Sequence, residues 1–491
     1  MKLSFSCQLL LIGILGKVGS GKTSLLCRLA DWWRVQGRSL DGFVARAGER
    51  PEEGRGAERY DLELLRDSRR LPYAVRDPAL QPPYRFDPEA ARELDLWADG
   101  LGSGDPPSLV IIDELGPVEA AGGGHMALWS RIVLSNPGVI AVAVRAGEEG
   151  ALKERLGTGF DMLIDAASPE AWETLRRACD EHPDWIRVGL YGGGAGGFES
   201  SVGALLHGIQ APMTGLFMSS MQSVIMTYAA SGLRHRRRVV WVPFISASLK
   251  ALSPAGNRLR PMLAIAMQGL LYGGAVTVLG WNVLGVALGG FLVGAWSAIQ
   301  GVALQFLFVG SDLIRAYDSI ITWGAKLLNV RTPGLLVLIA GWSVACGAVS
   351  CLLTLIAWKR RQHMPGRLRD AVFRKRKGIA LGGKPASRTE AMKRGLRDLL
   401  RPLFWLPVLI VVAFTLASGS PLESALWVVV RAAGIGFVLF SLVRVFDMHR
   451  FIAWLQARGH WGPALAYRHA LDTVRPKDDA PRSPGKDSSS H

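Results

Sequence analysis

The sequence predicts a protein of two parts: an α/β domain with a parallel sheet and flanking helices, fused to an all-α domain that crosses a membrane several times. From residue 31 to about residue 184, charged residues alternate with apolar runs short enough for strands. From residue 188 to residue 445, long apolar stretches rich in Gly and Ala dominate. Hydrophobic residues form 49% of the 491-residue chain and charged residues 20%, and this separation explains how both shares can be high.

The first apolar run, LLLIGILG at residues 9–16, allows two interpretations. Because Lys2 precedes it, the run could be the apolar core of a secretory signal peptide. It could equally be a buried strand that leads into a loop at the edge of a sheet. The residues from Gly16 to Thr23 match G-x-x-x-x-G-K-[ST] at every fixed position. Because an apolar run precedes this motif and an amphipathic run follows it, we favour strand, loop and helix.

This motif is typical of loops that bind the phosphates of a nucleotide. Glycines let the backbone curl so that successive N–H groups face a phosphate, and the following helix, predicted from residue 23 to about residue 35, adds its N-terminal dipole. Lys22 would reach the β- and γ-phosphates, and the Thr23 hydroxyl is a ligand for Mg²⁺. The predicted nucleotide-binding residues are Gly16, Lys17, Val18, Gly19, Ser20, Gly21, Lys22, Thr23 and Ser24.

A second motif, LVIIDELGPVE, starts at Leu109. Its apolar residues 109–112 predict a strand buried on both faces, and Asp113 and Glu114 follow at the carboxyl end, where parallel sheets bind ligands. We expect Asp113 to hold Mg²⁺ together with Thr23, and Glu114 to orient or deprotonate an attacking water. The alternative is an acidic pair that caps a helix. The two motifs together predict a Mg²⁺-dependent hydrolase of ATP or another nucleoside triphosphate.

The chain around these motifs fits the same α/β domain, predicted over residues 1–184. Strands are expected at residues 42–45, 138–144 and 162–164, and helices at residues 88–101, 120–134 and 169–179. The polar stretch at residues 47–85 predicts either a loop over the triphosphate or a solvated hairpin. It carries arginines that could neutralise phosphate charge: Arg46 just before it, then Arg50, Arg55 and Arg59. Arg145, at the end of a predicted strand, is better placed to act as a catalytic residue.

Over residues 9–180 the chain resembles the cancer-related nucleoside-triphosphatase family. The resemblance is carried by GKVGSGKTSLL, by Gly42 and Phe43, by IIDELGPVE and by the strand GVIAVAVR. It implies slow hydrolysis of nucleoside triphosphates with broad base tolerance, and it implies Glu119 as a further site residue. Residues 47–84 depart from the family, since little of its second hairpin is evident there. No LSGGQ-like segment appears between the two motifs, so the chain does not resemble an ABC-type ATPase.

The second half of the chain predicts membrane-spanning helices of about 20 residues each. Candidate spans are residues 188–208, 213–233, 262–280, 283–301, 334–358, 403–418 and 424–444. Basic patches at residues 234–238 and 359–361 mark cytoplasmic ends by the positive-inside rule. Because the span at residues 334–358 also ends at a basic patch, it must start outside, so the chain needs one more crossing within residues 303–330, which gives eight crossings in total. The alternative is that residues 303–330 form an interfacial amphipathic helix and that one of the other spans is wrongly predicted. The predicted location is the inner membrane of a bacterium, with the α/β domain in the cytoplasm.

Polar residues within these spans suggest a binding cavity, although each could equally join two helices. The candidates are Glu199, Gln210, Gln222, Gln268, Asn282 and Asp312, with Gln300 and Gln305 as further neutral groups. Residues 188–358 weakly resemble the substrate-binding S component of energy-coupling-factor transporters. This second resemblance implies capture of a vitamin-like solute. We expect a six-helix domain at residues 185–358, a basic loop at 359–402, further helices at 403–472 and a disordered tail at 473–491.

Charge and cysteine content narrow the possible partners. The net charge of +16 does not indicate nucleic acid, because much of the excess flanks the apolar stretches; it predicts contact with anionic lipid instead. The five cysteines are scattered, so neither a disulfide framework nor a cysteine metal site is expected. The leading hypothesis is a triphosphatase whose membrane domain binds or moves a small solute, alone as a homo-oligomer or with other transporter subunits. The alternative is a nucleotide-dependent regulator that transports nothing.

Overall fold

A computed structural model describes residues 9–48, 59–80, 84–157, 159–209, 212–251, 259–310, 312–327, 334–373, 388–419 and 421–474. The chain divides into two compact units. The first contains Met1–Ile186 and Leu455–Leu465, and the second contains Arg187–Trp454 and Ala466–His491. The short C-terminal segment of the first unit is held there by contacts such as Gln456 Nε2 to Asp161 Oδ1, 3.3 Å.

The first unit is an α/β domain built on an eight-stranded sheet. Its strands are β1 (Leu10–Gly16), β2 (Leu40–Ala47), β3 (Arg59–Leu64), β4 (Arg70–Arg76), β5 (Tyr84–Phe86), β6 (Leu109–Leu115), β7 (Val139–Arg145) and β8 (Met162–Asp165). Its helices are α1 (Lys22–Val35), α2 (Pro88–Gly100), α3 (Pro117–Ala120), α4 (Met126–Leu134), α5 (Glu149–Leu156) and the first part of α6 (Ala171–Phe198). The strand order is β5-β4-β3-β2-β6-β7-β1-β8.

The sheet is mostly parallel, which refines the prediction of a parallel sheet. Strands β2, β6, β7, β1 and β8 pair in parallel, whereas β3, β4 and β5 are antiparallel. The stretch at residues 47–85 therefore contains a hairpin and a third strand, and not simply a loop over the site. The pattern is hard to recognise because the few buried apolar residues, such as Leu62, Leu64 and Ala74, stand among many charged side chains.

The core explains why the central strands are apolar. Strands β1, β6 and β7 are almost wholly buried, as expected for parallel strands covered on both faces. Gly42 in β2 has φ +115°, and a Cβ there would lie 2.0 Å from the carbonyl oxygen of Ile111 in β6. Only glycine allows the two strands to approach this closely at that position.

Two predicted helices differ in the structure. The helix predicted at residues 120–134 is divided into α3 and α4, because Gly122 and Gly124 have positive φ angles of 96° and 52°. The helix predicted at residues 169–179 continues as α6 to Phe198, through Pro183. The boundary between the two units therefore falls inside one continuous helix.

The rest of the chain is mostly helical. A π-helical turn (Glu199–Gly203) follows α6, and a 3-10 turn (Arg236–Val240) precedes the ninth helix. The helices are α7 (Ala204–Gly208), α8 (Thr214–Ser231), α9 (Trp241–Ala251), α10 (Leu259–Leu279), α11 (Val283–Val309), α12 (Asp312–Leu327), α13 (Leu335–Lys359), α14 (Gly366–Phe373), α15 (Arg388–Leu399), α16 (Pro402–Ala417), α17 (Leu422–Val445), α18 (Met448–Ala457) and α19 (Trp461–Val474).

Four helices in the described part of the chain are long and apolar enough to cross a membrane: α10, α11, α13 and α17. A fifth crossing is possible if the bent pair Met392–Leu399 and Phe404–Ala417, angled at 51°, counts as one span. The described residues therefore contain four or five such helices, where the sequence predicted eight crossings. The spans predicted at residues 188–208 and 213–233 are not among these helices: α6 gives way to the π-helical turn, and Ser, Thr and Gln side chains interrupt the apolar character of α8.

The relation of α11 to α13 bears on the extra crossing considered for residues 303–330. A Cβ at Gly290 would lie 2.5 Å from Thr354 Oγ1, and one at Gly294 would lie 2.5 Å from Ser350 Cβ. Because residue numbers rise along α11 as they fall along α13, the two helices are antiparallel. If α11 and α13 cross the membrane in opposite directions, the segment between them starts and ends on the same side, so no further crossing is needed there. Amphipathic α12 lies in that connection, with Leu313 buried and Trp323 68% exposed, in agreement with the alternative hypothesis.

The region predicted as a basic loop at residues 359–402 contains two helices, α14 and α15, in its described part. Asp398 near the end of α15 is buried and accepts hydrogen bonds from the Arg444 guanidinium of α17, the shorter at 2.7 Å. This paired carboxylate anchors α15 to α17. Residues 475–491, most of the predicted tail, lie outside the described residues.

Candidate functional site

The loop from Gly16 to Thr23 connects the end of β1 to the start of α1, as the motif predicts. Gly19 and Gly21 have left-handed φ angles of 81° and 93°, which other residues adopt only with strain. A Cβ at Gly16 would lie 2.1 Å from Ser20 Oγ. The glycine spacing is therefore required by the curl of this loop, which we call the glycine loop.

Lys22, the first residue of α1, folds back over the glycine loop. Its Nζ donates hydrogen bonds to the carbonyl oxygens of Gly16 at 2.8 Å and Lys17 at 2.9 Å. Partial burial lowers the pKa of Lys22, and the nearby Glu114 and Asp113 carboxylates oppose that shift. The N-terminus of α1 has no side-chain cap, and the first N–H groups of a helix have no acceptor within it. An ammonium beside free helix N–H groups is suited to an anion.

Thr23 and Asp113 meet directly, although they are far apart in sequence. Thr23 Oγ1 lies 2.8 Å from Asp113 Oδ2 and 3.1 Å from Oδ1, and the Ala45 amide donates to Asp113 Oδ2 at 3.0 Å. Burial raises the pKa of Asp113 to about 6, even though these hydrogen bonds favour its ionised form. The structure thus places both predicted metal ligands side by side.

This pair of oxygen donors fits Mg²⁺. No group of three or more His, Cys, Asp or Glu side chains in the described residues could hold a metal ion. Mg²⁺ does not need such a group, because it is usually bound through one or two protein oxygens together with water and substrate phosphates. The Thr23 hydroxyl and the Asp113 carboxylate satisfy that requirement.

Glu114 and Arg145 form the other side of the site. Arg145 Nη2 lies 3.0 Å from Glu114 Oε1, and both side chains are partly exposed. Strand β7 lies between β1 and β6, and Arg145 at its end is in register with Gly16 of β1. The pairing of β6 with β7 is irregular between Ile112 and Leu115, and Glu114 has φ 69°, an unusual angle for a non-glycine residue. This irregular backbone brings the Glu114 carboxylate to Arg145.

The family resemblance implies Glu119 as a site residue, but in the structure its carboxylate lies in the interior and binds backbone amides. Glu119 is buried, and its carboxylate accepts hydrogen bonds from the backbone amides of Gly116 at 2.9 Å and His125 at 3.3 Å. Gly116 directly precedes α3, and His125 directly precedes α4, so these two amides lie on either side of α3. Glu119 therefore ties the segment between α3 and α4 to the start of α3.

Two residues near this segment were not predicted. Tyr73 of β4 has its hydroxyl 3.2 Å from His125 Nε2, and the two rings stack with centroids 5.6 Å apart. Phe43 of β2 also packs on His125, at 4.7 Å between centroids. Burial lowers the pKa of His125 to about 4. No sequence signal identifies this contact, because Tyr73 and His125 come from segments that are distant in the chain.

The buried His125 predicts a loss of stability in mild acid. In the unfolded chain a histidine has a pKa of about 6.5, so between about pH 6.5 and pH 4 the unfolded state binds a proton that the folded state does not. The contribution of His125 to the free energy of unfolding should therefore fall by up to about 3 kcal/mol over this range, while Asp113, whose pKa burial raises to about 6, contributes in the opposite direction. The pH dependence of stability can be measured by thermal unfolding of the full-length protein, with proteolysis of the first unit as the readout. His125→Gln should reduce the fall in the free energy of unfolding that His125 contributes. If His449→Gln, at an exposed histidine, reduces it equally, His125 is not its source.

The other arginines considered are engaged elsewhere or not described. Arg46 Nε lies 2.7 Å from Glu63 Oε2, and Arg59 Nε lies 3.0 Å from Asp61 Oδ1. Arg50 and Arg55 lie outside the described residues. Arg145 is accordingly the arginine that the described structure brings to the acidic pair.

The polar residues predicted in the membrane part do not form one cluster. Gln268 of α10 donates to Ser219 Oγ of α8 at 2.8 Å, and Asn282 caps α11 by accepting from the Gly285 amide at 2.9 Å. Gln268 therefore joins two helices, as the alternative to a binding cavity predicts, whereas Asn282 has a capping role that was not predicted. Gln210 and the side chain of Asp312 lie outside the described residues.

The remaining candidates have different surroundings. Gln305 Oε1 lies 3.5 Å from the Tyr317 hydroxyl. Gln222 Nε2 and Gln300 Oε1 are buried without a hydrogen-bond partner in the described structure. Glu199 lies 3.7 Å from Lys250 Nζ, a partner that the sequence did not suggest.

Comparison with solved structures found a similarity, whereas the other two comparisons found none. No protein-family model and no curated protein matches the chain. Among solved structures, the solution structure of a human cancer-related nucleoside triphosphatase is similar at 19% identity, with a TM-score of 0.27. The similarity covers 35% of this chain and 95% of that chain.

Proposed function

We propose that this protein is a membrane-embedded, Mg²⁺-dependent nucleoside triphosphatase whose membrane domain binds a small solute. The observation that carries the first part is the meeting of Thr23 and Asp113 at 2.8 Å beside the glycine loop. Lys22 lies on the same loop, and the Glu114–Arg145 pair lies at the neighbouring strand ends. Such a set of donors, acceptors and charges suits a triphosphate and its metal ion.

The residues divide the work of hydrolysis. The glycine loop and the N-terminus of α1 would bind the β- and γ-phosphates, with Lys22 exchanging its carbonyl partners for phosphate oxygens. Thr23 and Asp113 would hold Mg²⁺, which neutralises charge on the phosphates when bound. Glu114 would orient the attacking water and accept its proton as the bond from the γ-phosphorus to the β–γ bridging oxygen breaks. Arg145 would stabilise the charge that develops on the transferred group, and the products are a nucleoside diphosphate and inorganic phosphate.

We further propose that the basic end of the membrane helices faces the cytoplasm of a bacterium. Ser223 of α8 lies 2.7 Å from Thr354 of α13, and Gly215 of α8 lies near Gln300 of α11. Helix α8 is therefore antiparallel to α11 and parallel to α13. Both α8 and α13 end at the same side of the bundle, where the basic patches at residues 234–238 and 359–361 begin. The positive-inside rule supports a cytoplasmic position for that side.

The alternative function, a regulator without transport, is favoured by one observation. Hydroxyl groups between the helices hydrogen-bond to one another: Ser223 contacts Thr354, and Thr227 Oγ1 lies 2.7 Å from the Tyr272 hydroxyl. Such mutually satisfied groups join helices and leave no need for a ligand at those positions. A solute that raises the hydrolysis rate would favour transport, whereas hydrolysis indifferent to every solute would favour regulation.

Hydrolysis by the purified full-length protein in lipid nanodiscs tests the enzymatic proposal. We expect release of inorganic phosphate from ATP and from other nucleoside triphosphates when Mg²⁺ is present. Removal of Mg²⁺ with EDTA should reduce the rate to background, because Thr23 and Asp113 would then lack the ion that they hold against the phosphates. A rate unchanged by EDTA, or no release with Mg²⁺ present, would contradict the proposal.

A further inference from the structure

The second unit contains a buried pair of opposite charges. Lys250 in the last turn of α9 and Glu199 at the start of the π-helical turn have side chains only 9% and 14% exposed. Lys250 Nζ lies 3.7 Å from Glu199 Oε1, which exceeds the 2.7–3.2 Å of a direct hydrogen bond. Burying two charges this way is costly unless other groups satisfy them. Within the described residues no closer partner of either charge is present.

Other buried polar groups come from the helices packed around this pair. The π-helical turn packs against both α8 and α9. Ser246 Oγ, one turn before Lys250 on the same side of α9, is fully buried and has no hydrogen-bond partner in the described structure. Gln222 Nε2 of α8 is likewise buried and unpartnered among the described residues.

The geometry of Gly203 links α8 to the charged pair. A Cβ at Gly203 would lie 3.2 Å from Glu199 Oε1 and 3.3 Å from Met218 Cε. Met218 of α8 therefore approaches the Glu199 carboxylate, and Gln222 lies one turn further along the same side of α8. Glu199 also starts a π-helical turn, a deviation from α-helix that occurs often at functional sites.

We propose that Glu199 and Lys250 bind a small zwitterion of the amino-acid class. The carboxylate of the ligand would bind Lys250, and its ammonium group would bind Glu199. Gln222 Nε2 and the Ser246 hydroxyl are further donors for the ligand carboxylate. A zwitterion carries no net charge, so its entry leaves no uncompensated charge in the bundle. This assignment deepens the solute-binding part of the proposed function and rests on it.

Equilibrium binding of a ¹⁴C-labelled mixture of L-amino acids to the full-length protein in nanodiscs tests the site. We expect saturable binding that unlabelled amino acids displace. Amino-acid amides, which lack the carboxylate, and N-acetyl amino acids, which lack the ammonium, should not displace it. Glu199→Gln and Lys250→Gln should each weaken binding at least about tenfold, since each removes a charged hydrogen-bond partner. Lys326→Gln, at an exposed lysine of α12, should leave binding unchanged.

Further variants separate the possible failures. Lys22→Ala should retain amino-acid binding even where hydrolysis is lost, so a failed triphosphatase proposal would not remove this site. If a single charge change prevents folding, the double variant Glu199→Gln/Lys250→Gln keeps the site neutral. Undiminished binding by the folded double variant would overturn the assignment. Wild-type protein that hydrolyses nucleotide but binds no amino acid up to about 10 mM, well above the Kd of a weak millimolar site, would also overturn it.

Discussion

Replacing Lys22 with alanine should lower the rate of nucleoside triphosphate hydrolysis by about 10²–10³-fold, the loss typical when one preorganised charge stabiliser is removed. Lys22 donates to two carbonyl oxygens of its own loop, and phosphate oxygens would replace these acceptors when substrate binds. Partial burial of the ammonium strengthens its interaction with a phosphate. Phosphate release by the full-length protein in nanodiscs, at saturating Mg²⁺ and nucleotide, measures the loss.

Two variants control this result. Lys22→Arg keeps the charge but changes its geometry, so it should recover only part of the rate. Lys153→Ala removes an exposed lysine of α5 and should leave the rate unchanged. Equal rates in Lys22→Ala and Lys153→Ala would exclude a role for Lys22 in phosphate binding.

Replacing Glu114 with glutamine should lower hydrolysis by about 10²–10⁴-fold while nucleotide binding persists, as expected when a general base is removed. The amide cannot accept the proton of the attacking water, although it keeps the size of the side chain. The substitution also removes the charge that pairs with Arg145 at 3.0 Å, so nucleotide affinity could rise as the guanidinium becomes available to phosphate. A fluorescent nucleotide analogue measures binding, and phosphate release measures turnover.

The matched variant is Glu154→Gln, which removes an exposed carboxylate from α5. It should change neither binding nor turnover. A Glu114→Gln protein that loses binding and turnover together would indicate a structural role for Glu114 instead. Its strained backbone, φ 69°, makes that comparison necessary.

The sequence by itself determined the features that depend on neighbouring residues. The glycine loop spans eight residues between an apolar run and an amphipathic run, and the structure has a strand, a loop and a helix there. Asp113 and Glu114 follow an apolar run, and they lie near the end of β6. Hydrophobic periodicity and glycine spacing are local properties, so they can be recognised without the fold. The contact between Thr23 and Asp113 was also predictable, because the carboxyl ends of parallel strands lie at the same edge of the sheet.

Only the tertiary structure decided which distant segments pair. Strands β3 and β4 are hard to recognise in the sequence because charged residues interrupt their apolar pattern. They form because β3 pairs with the edge of β2 and β4 then pairs with β3. The antiparallel packing of α11 on α13 depends on close approach at Gly290 and Gly294, which hydropathy does not encode. Glu199 was recognised from the sequence, but its partner Lys250 was not, because they lie on different helices. Side-chain pairing across a core follows from packing geometry, and packing geometry is settled only when the whole chain has folded.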